Sequence, residues 1–388
     1  MSNAVLRRAA VYALVLCCTA TAHAQRAEES LARIADDDLA AAVSSGVGFL
    51  LTHQEGEPKG EWPYEGVYRV GGKIPIGYRV GNTGICVMAI LAAPGQGEDP
   101  ERAAAITRAL QFICAGTQHP LMSEKDYDAG YDVRAWGYIF GMQGMLRAKA
   151  AGAVPAELTG PVNDAIAWYC DALQKTEIPE AGGWNYARPS GRAKKAAPSS
   201  FMTSCALQAL FEAKADGRSI DPAVVDRALA FLEKSKGASG AVQYSGEAGA
   251  GRNDQTPGAV GRMLAVETTL MLAGKGSVQS TRGAVDAFIV HWEWLNKRKA
   301  KSGTHEGPYA IAPYYFMFAH RYAAMAVELL PSAERAEYRR RINNLLFSVR
   351  AEDGTWNDRV FPRTANYGTA FAMLSILEPK AKPTAWKP

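Results

Sequence analysis

The densest group of ionisable side chains lies in residues 126–134, which read DYDAGYDVR. Two carboxylates in different environments can divide the roles of general acid and general base, and Asp128 and Asp132 are the candidates for that chemistry. Tyr131, Asp132 and Arg134 could instead bind a polar ligand, because a ring stacks on it and charged groups orient it. The structural alternative is that Asp132 caps the following helix and Arg134 pairs with a neighbour.

Further candidates stand where polar turns lead into apolar helical segments. Tyr78, Arg79, Asp254 and Tyr315 occupy such positions, and we predict that they contact a ligand such as an oligosaccharide. His320 lies inside an apolar segment that begins with several aromatic residues. Facing a cavity it would serve as a general base, whereas packed in the core it would be structural.

The sequence offers no metal or redox motif. His291 and His305 have no partner at metal-ligand spacing. No pair of cysteines beyond the N-terminal segment has C-x-x-C spacing, and all four lie in apolar helical segments, where a thiol acts as a small buried hydrophobe. These cysteines are Cys86, Cys114, Cys170 and Cys205. We therefore predict neither a bound metal nor a cofactor.

A repeated pattern indicates the elements that would position these residues. An aromatic or aliphatic pair near the end of a helical pattern recurs six times, at intervals of 56 to 63 residues. The pairs are Phe49-Leu50, Phe112-Ile113, Trp168-Tyr169, Phe231-Leu232, Phe288-Ile289 and Leu345-Leu346. Each interval holds an amphipathic helix, a glycine-containing turn and a second, more apolar helix. Six such helix pairs are enough to close a ring, which removes the ends that an open solenoid must cap.

The turns resemble the QW motif of squalene and hopene cyclases and the repeats of protein prenyltransferase beta subunits. In the first unit Phe49-Leu50, Gln54 and Gly60-Glu61-Trp62 follow the order of that motif, and in the last unit Gly354-Thr355-Trp356 ends it. The resemblance covers the chain after its N-terminal segment. It implies an all-α fold, an α6/α6 toroid of six helix-pair repeats with a central cavity, spanning residues 25–378.

The same resemblance does not imply that this protein shares an activity with those families. The cyclases use a D-x-D-D acid, and the dense acidic run here, residues 36–38, precedes the first repeat. The prenyltransferases hold zinc through Asp, Cys and a late His, whereas the sixth unit offers Asn366 and Tyr367. Kinship in fold alone does not establish chemistry.

The N-terminus predicts export. Arg7 and Arg8 precede an apolar stretch of signal-peptide length, and a small-x-small site predicts cleavage after Ala24. Residues 1–24 are thus a predicted signal peptide without a stable membrane anchor, which sends the protein to the periplasm or outside the cell. Its removal lowers the formal charge from +4 to +2, which disfavours nucleic acid as a partner. Residues 379–388 are predicted to be a disordered tail.

Three functions remain open from the sequence. The first is a non-catalytic protein that binds a small molecule or a protein partner at the toroid rim or cavity. The second is an enzyme acting on a polysaccharide or glycoside, since GEWPY at residues 60–64 is similar to the GGWP segment of a lyase family. The third is an isoprenoid-processing enzyme that lacks the usual acid and zinc motifs. The lining of the cavity separates these alternatives.

Overall fold

The computed structural model describes residues 33–66, 69, 71–95, 97, 99–125, 133–178, 180–186, 197–249, 255–299, 301–303, 305–312 and 314–388. Twelve α-helices lie within these described ranges. They are α1 Asp36–Thr52, α2 Ile76–Ala92, α3 Pro100–Gly116, α4 Arg134–Ala150, α5 Thr159–Lys175, α6 Ser200–Ala215, α7 Pro222–Lys234, α8 Thr256–Leu272, α9 Val278–Arg298, α10 Tyr315–Glu328, α11 Ser332–Phe347 and α12 Thr364–Leu377. The β-structure in the described ranges is confined to isolated bridges.

The even-numbered helices form a closed inner ring. Each packs against the next, from α2 through α4, α6, α8 and α10 to α12, and α12 returns to pack against α2. Each of them is buried over most of its faces, because it has neighbours on both sides and an outer helix behind it. The odd-numbered helices lie outside the ring as the first members of the pairs. The all-α toroid predicted from the sequence is confirmed.

The recurring residue pairs anchor the outer helices to the ring. The second residue of all six pairs is buried, whereas the first is partly exposed in four of them. This is the pattern of a helix that buries one face, as the amphipathic spacing predicts. The buried members are Leu50, Ile113, Tyr169, Leu232, Ile289 and Leu346.

Three tryptophans connect the outer and inner helices of units one, three and six. Trp62, Trp184 and Trp356 each donate the indole Nε1–H to a carbonyl near the end of the preceding outer helix, at 2.7, 2.7 and 2.8 Å. Their backbone N–H groups donate to a threonine hydroxyl of the following inner helix, at 3.0, 2.9 and 3.1 Å. One residue thereby satisfies backbone groups at the end of one helix and fixes its distance from the next.

Glycines bring α2 and α4 into close contact. A Cβ at Gly77 or Gly84 would overlap the backbone of Val133 or Phe140, and one at Gly144 would lie 2.7 Å from the Cα of Gly84. No other residue fits these positions without moving a helix, because backbone atoms cannot give way as a flexible side chain can.

Aromatic rings meet in the space that the inner helices enclose. Phe201 of α6 lies 4.4 Å from Phe318 of α10, and Phe140 of α4 lies 6.3 Å from Phe371 of α12, measured between ring centroids. One inner helix separates the two members of each pair in the ring, so these side chains extend into the space that the ring encloses. In this part of the described structure, the central cavity expected from the sequence is filled by side chains.

The C-terminal tail crosses the end of the ring where the inner helices finish. The Trp386 ring lies 5.3 Å from that of Phe211, and its backbone N–H donates to the carbonyl of Leu272 at 2.9 Å. The sequence predicts a disordered tail, but an apolar ring beside α6 and a backbone bond to α8 hold it in place. None of the described helices is long and apolar enough to span a membrane.

Candidate functional site

A small aromatic pocket lies where the inner helices begin. Its described lining is tyrosine and tryptophan, contributed by units one, two, three, five and six. These residues are Tyr64, Tyr78, Trp136, Tyr186, Tyr314 and Tyr367, and they define the rim pocket. The space that it encloses is small, about 10 Å³, which is enough for about one water molecule. Residues from distant parts of the chain converge here because the ring brings the starts of its helices to one end.

The rings of the rim pocket stand at steep angles to one another. Tyr78 meets Tyr64 at 77° and Trp136 at 83°, with centroids 5.3 and 6.5 Å apart. Tyr367 lies 4.7 Å from Tyr64 at 55°. Edge-to-face packing of this kind is favourable for aromatic pairs and leaves ring faces and ring edges on the pocket wall.

The phenolic hydroxyls form a connected group at one side of the rim pocket. Tyr186 Oη donates to Tyr314 Oη at 3.1 Å, and Tyr244 Oη lies 3.5 Å from the same atom. Tyr367 Oη donates to the Tyr314 carbonyl at 3.1 Å. Burial raises the pKa of Tyr314 and Tyr367 well above the ordinary tyrosine value, so both remain neutral. These groups can exchange hydrogen bonds with a ligand but supply no charge.

Two of the predicted ligand-binding residues lie in or beneath the rim pocket. Tyr78 forms part of its wall. Tyr315 is buried under it, with its ring 5.1 Å from Phe201 and 4.7 Å from Tyr314, and the Arg262 guanidinium lies 5.7 Å from its centroid. Tyr315 therefore supports the pocket rather than lining it.

The two arginines that were predicted to bind a ligand, Arg79 and Arg134, instead form contacts within the protein. Arg79 donates twice to the Glu61 carboxylate at 2.6 Å and lies 5.3 Å from the Phe112 centroid. The hydrogen bonds to Glu61 raise the pKa of Arg79, so its guanidinium remains charged. Arg134 is buried, and its Nη1 donates to the carbonyls of Ser123 and Lys125, at 2.6 Å each. It therefore holds Ser123 and Lys125 against the start of α4, because a guanidinium carries five donors and can bind several carbonyls.

His320 is a core residue, contrary to its candidacy as a general base. Its Nε2 accepts from Trp292 Nε1 at 3.0 Å, and its Nδ1 donates to the Phe316 carbonyl at 2.9 Å. These partners place it between α9 and α10, on the side away from the axis. Burial lowers its pKa to about 4, so the imidazole is neutral and both nitrogens are engaged.

Four predicted site residues lie outside the described ranges, namely Asp128, Tyr131, Asp132 and Asp254. One acidic residue that sequence reasoning missed is Asp358, which is fully buried beside Trp356 in the turn before α12. In the sequence it stands in a short polar loop, NDR, with nothing to mark it as buried. Within the described part of the chain, no group of three or more His, Cys, Asp or Glu side chains could hold a metal ion.

Comparison with known proteins identifies the fold. No family model matches the sequence, and no curated protein sequence proved similar. Among solved structures, an inactive variant of the GH76A alpha-1,6-mannanase of Salegentibacter sp. HEL1_6 matches with a TM-score of 0.55, 10% identity and coverage of 88% of this chain and 100% of that one. A possible GH105 family member from Salmonella enterica serovar Paratyphi A matches with a TM-score of 0.50 and 12% identity, covering 89% of this chain and 94% of that one. A variant of the type II terpene cyclase MstE from Scytonema matches with a TM-score of 0.50 and 15% identity, covering 88% of this chain and 98% of that one. At these identities the likeness shows the α/α toroid and nothing of the chemistry.

Proposed function

We propose that this protein is an exported, non-catalytic receptor that binds an oligosaccharide at the mouth of the rim pocket. The observation that supports the proposal is the convergence of six aromatic residues from five units on one pocket. A pyranose ring offers apolar C–H faces to aromatic rings and hydroxyls to phenolic groups. The enclosed space of about 10 Å³ holds only about one water molecule, so the sugar would stack on the aromatic residues at the mouth of the pocket.

The binding role is favoured over catalysis by what surrounds the pocket. Its described lining contains no carboxylate, and glycoside hydrolysis requires two of them on either side of the scissile bond. The rings that meet beneath it, such as Phe201 and Phe318, limit how far a substrate chain could enter. The predicted signal peptide, residues 1–24, would deliver this receptor to the periplasm or the cell exterior.

Binding of oligosaccharides to the chain from Gln25 onward tests the proposal. A saturating ligand should raise the melting temperature, since ~100 times its Kd adds ~2.7 kcal/mol to the stability. Tyr186→Phe removes the hydroxyl that donates to Tyr314, and we expect it to weaken binding about fivefold, the effect of ~1 kcal/mol. The matched control is Tyr338→Phe, which removes a hydroxyl bonded to Asp286 at 2.7 Å on the outer helices and should leave binding unchanged.

Product analysis separates the enzymatic alternatives. Chromatography of the same mixtures, and of mixtures with isoprenoid alcohols, would reveal shortened saccharides or altered isoprenoids if the protein were an enzyme. Binding without turnover supports the receptor. Binding that is equal in Tyr186→Phe and the parent protein would remove the rim pocket from the proposal.

A further inference from the structure

The C-terminal tail carries an aromatic anchor to the far side of the ring. After α12 and a short 3-10 helix, Glu378–Lys380, residues 381–388 continue without regular structure. The neighbours of α12 in the ring are α10 and α2, whereas Trp386 contacts α6 and α8. The tail therefore passes beneath the end of the ring, at the opposite end from the rim pocket.

Three contacts hold Trp386 at the ends of α6 and α8. Its ring lies 5.3 Å from that of Phe211, and the Lys214 Nζ lies 6.0 Å from its centroid, within reach of a cation–π contact. Its backbone N–H donates to the carbonyl of Leu272 at 2.9 Å. Leu272 is the last residue of α8, where a helix leaves its carbonyls without intrahelical donors. Phe211, Lys214 and Leu272 define the tail site.

The tail site has the parts by which proteins recognise an extended peptide. The Leu272 carbonyl binds the peptide backbone, while Phe211 and Lys214 receive an aromatic side chain. Backbone hydrogen bonds of this kind give affinity, and the seat for the side chain gives specificity. Phe211 is 1% exposed with Trp386 against it, so release of the tail would open an apolar contact to water.

The rest of the tail is loosely attached. Trp386 makes the one hydrogen bond that residues 382–388 form with the described part of the chain, and four of the last eight residues are exposed. Pro383 and Pro388 keep the residues before them extended, so little conformational freedom is lost when the tail docks. A segment held at one residue can be released by a local fluctuation that leaves the helices intact.

We propose that the tail site is a docking site for a short extended peptide with a tryptophan, and that residues 381–388 are its resident ligand, in exchange between docked and released states. A short tether gives the tail an effective concentration in the millimolar range, so a Kd of about 0.1 mM for the free segment would leave roughly a tenth of the molecules with the tail released. The site is independent of the rim pocket and of saccharide binding. The competing interpretation is that the tail lies there only because it is attached to α12.

A synthetic peptide with the sequence of residues 381–388, AKPTAWKP, tests for affinity without the tether. The protein is the chain from Gln25 onward with Trp386→Ala, in which the tail loses its anchor and leaves the tail site open. Fluorine NMR of the peptide with a fluorinated tryptophan should show binding with a Kd of about 0.1 mM. The parent protein should bind the peptide about tenfold more weakly, because its own tail competes. An unlabelled Trp386→Ala peptide should not displace the labelled one.

Two further variants test the contacts of the tail site, each made in the Trp386→Ala chain. Lys214→Met removes the cation beside the indole and should weaken peptide binding about threefold. The matched control, Lys297→Met, removes a lysine that lies 4.6 Å from the Trp294 centroid on α9, the same kind of contact elsewhere in the protein. Peptide binding should not change in this control.

Three results would overturn the proposal. Equal binding by the parent protein and Trp386→Ala would show that the peptide binds elsewhere. No binding by a folded Trp386→Ala protein, verified by circular dichroism, would show that the tail has no affinity without its tether. If Trp386→Ala does not fold, the parent protein provides the test, because an excess of peptide should displace the tail and speed hydrogen exchange at the Trp386 amide. An unchanged exchange rate would contradict the proposed exchange of the tail.

Discussion

The buried carboxyl of Asp358 should make the stability of this protein depend on pH above the usual acid range. In an unfolded chain an aspartic acid titrates near ~3.9, whereas burial raises the pKa of Asp358 in the folded protein to about 8. Between these values the folded state holds a proton that the unfolded state has released. The free energy of unfolding therefore falls by ~1.4 kcal/mol per pH unit, a loss of ~4 kcal/mol by pH 7 relative to pH 4.

The sign of the effect follows from the raised pKa. The stabilisation is fully present below about pH 4, declines as the pH rises, and is gone above about pH 8, where both states are ionised. Asp358→Asn removes the titration while retaining a neutral side chain of similar size. The difference in stability between Asp358→Asn and the parent protein should therefore grow with pH up to about 8 and then level off.

Urea unfolding at pH 5, 6, 7, 8 and 9, in buffers free of sulfate and acetate, measures this difference. Asp353→Asn is the matched control in the same loop. Hydrogen bonds from Thr355 lower the pKa of Asp353, so its stabilisation is lost only when the pH falls below about 4, and its difference from the parent should be constant from pH 5 to 9. Parallel stability profiles for Asp358→Asn and the parent protein would refute the assignment of a buried, protonated acid.

The packing of the ring makes two further predictions, both checked by urea unfolding at one pH. Trp184→Phe removes a 2.7 Å hydrogen bond to the Leu173 carbonyl and leaves a cavity of about 40 Å³, so the free energy of unfolding should fall by ~2 kcal/mol. Its control, Trp168→Phe at a partly exposed position, should lower that free energy by less than ~1 kcal/mol. Gly84→Ala would force a Cβ into the backbone of the facing helix and should lower the free energy of unfolding by ~3 kcal/mol. Its control, Gly48→Ala, has nothing within 4 Å of the added Cβ and should raise that free energy by up to ~1 kcal/mol through helix propensity. Equal losses within either pair would contradict the packing described.

The sequence by itself determined the repeating unit and much of the local structure. The six residue pairs, of which Phe49-Leu50 is the first, mark the buried face of each outer helix because amphipathic spacing directly reports one-sided burial. The glycine-tryptophan turns were recognisable because each tryptophan contacts the two helices of its own unit, 10 to 21 residues away. Tyr78 could be placed at the pocket from its position before the core of an inner helix.

The tertiary structure decided what lies inside the ring. Phe201 and Phe318 are 117 residues apart in sequence and meet inside the ring. Whether such rings meet or leave a cavity depends on the closure and register of the helices that carry them. His320 and Asp358 show the same limit. Periodicity indicates that a residue is buried, but only the packed neighbours decide whether a buried histidine faces the outer helix or the axis, and whether a polar loop excludes water.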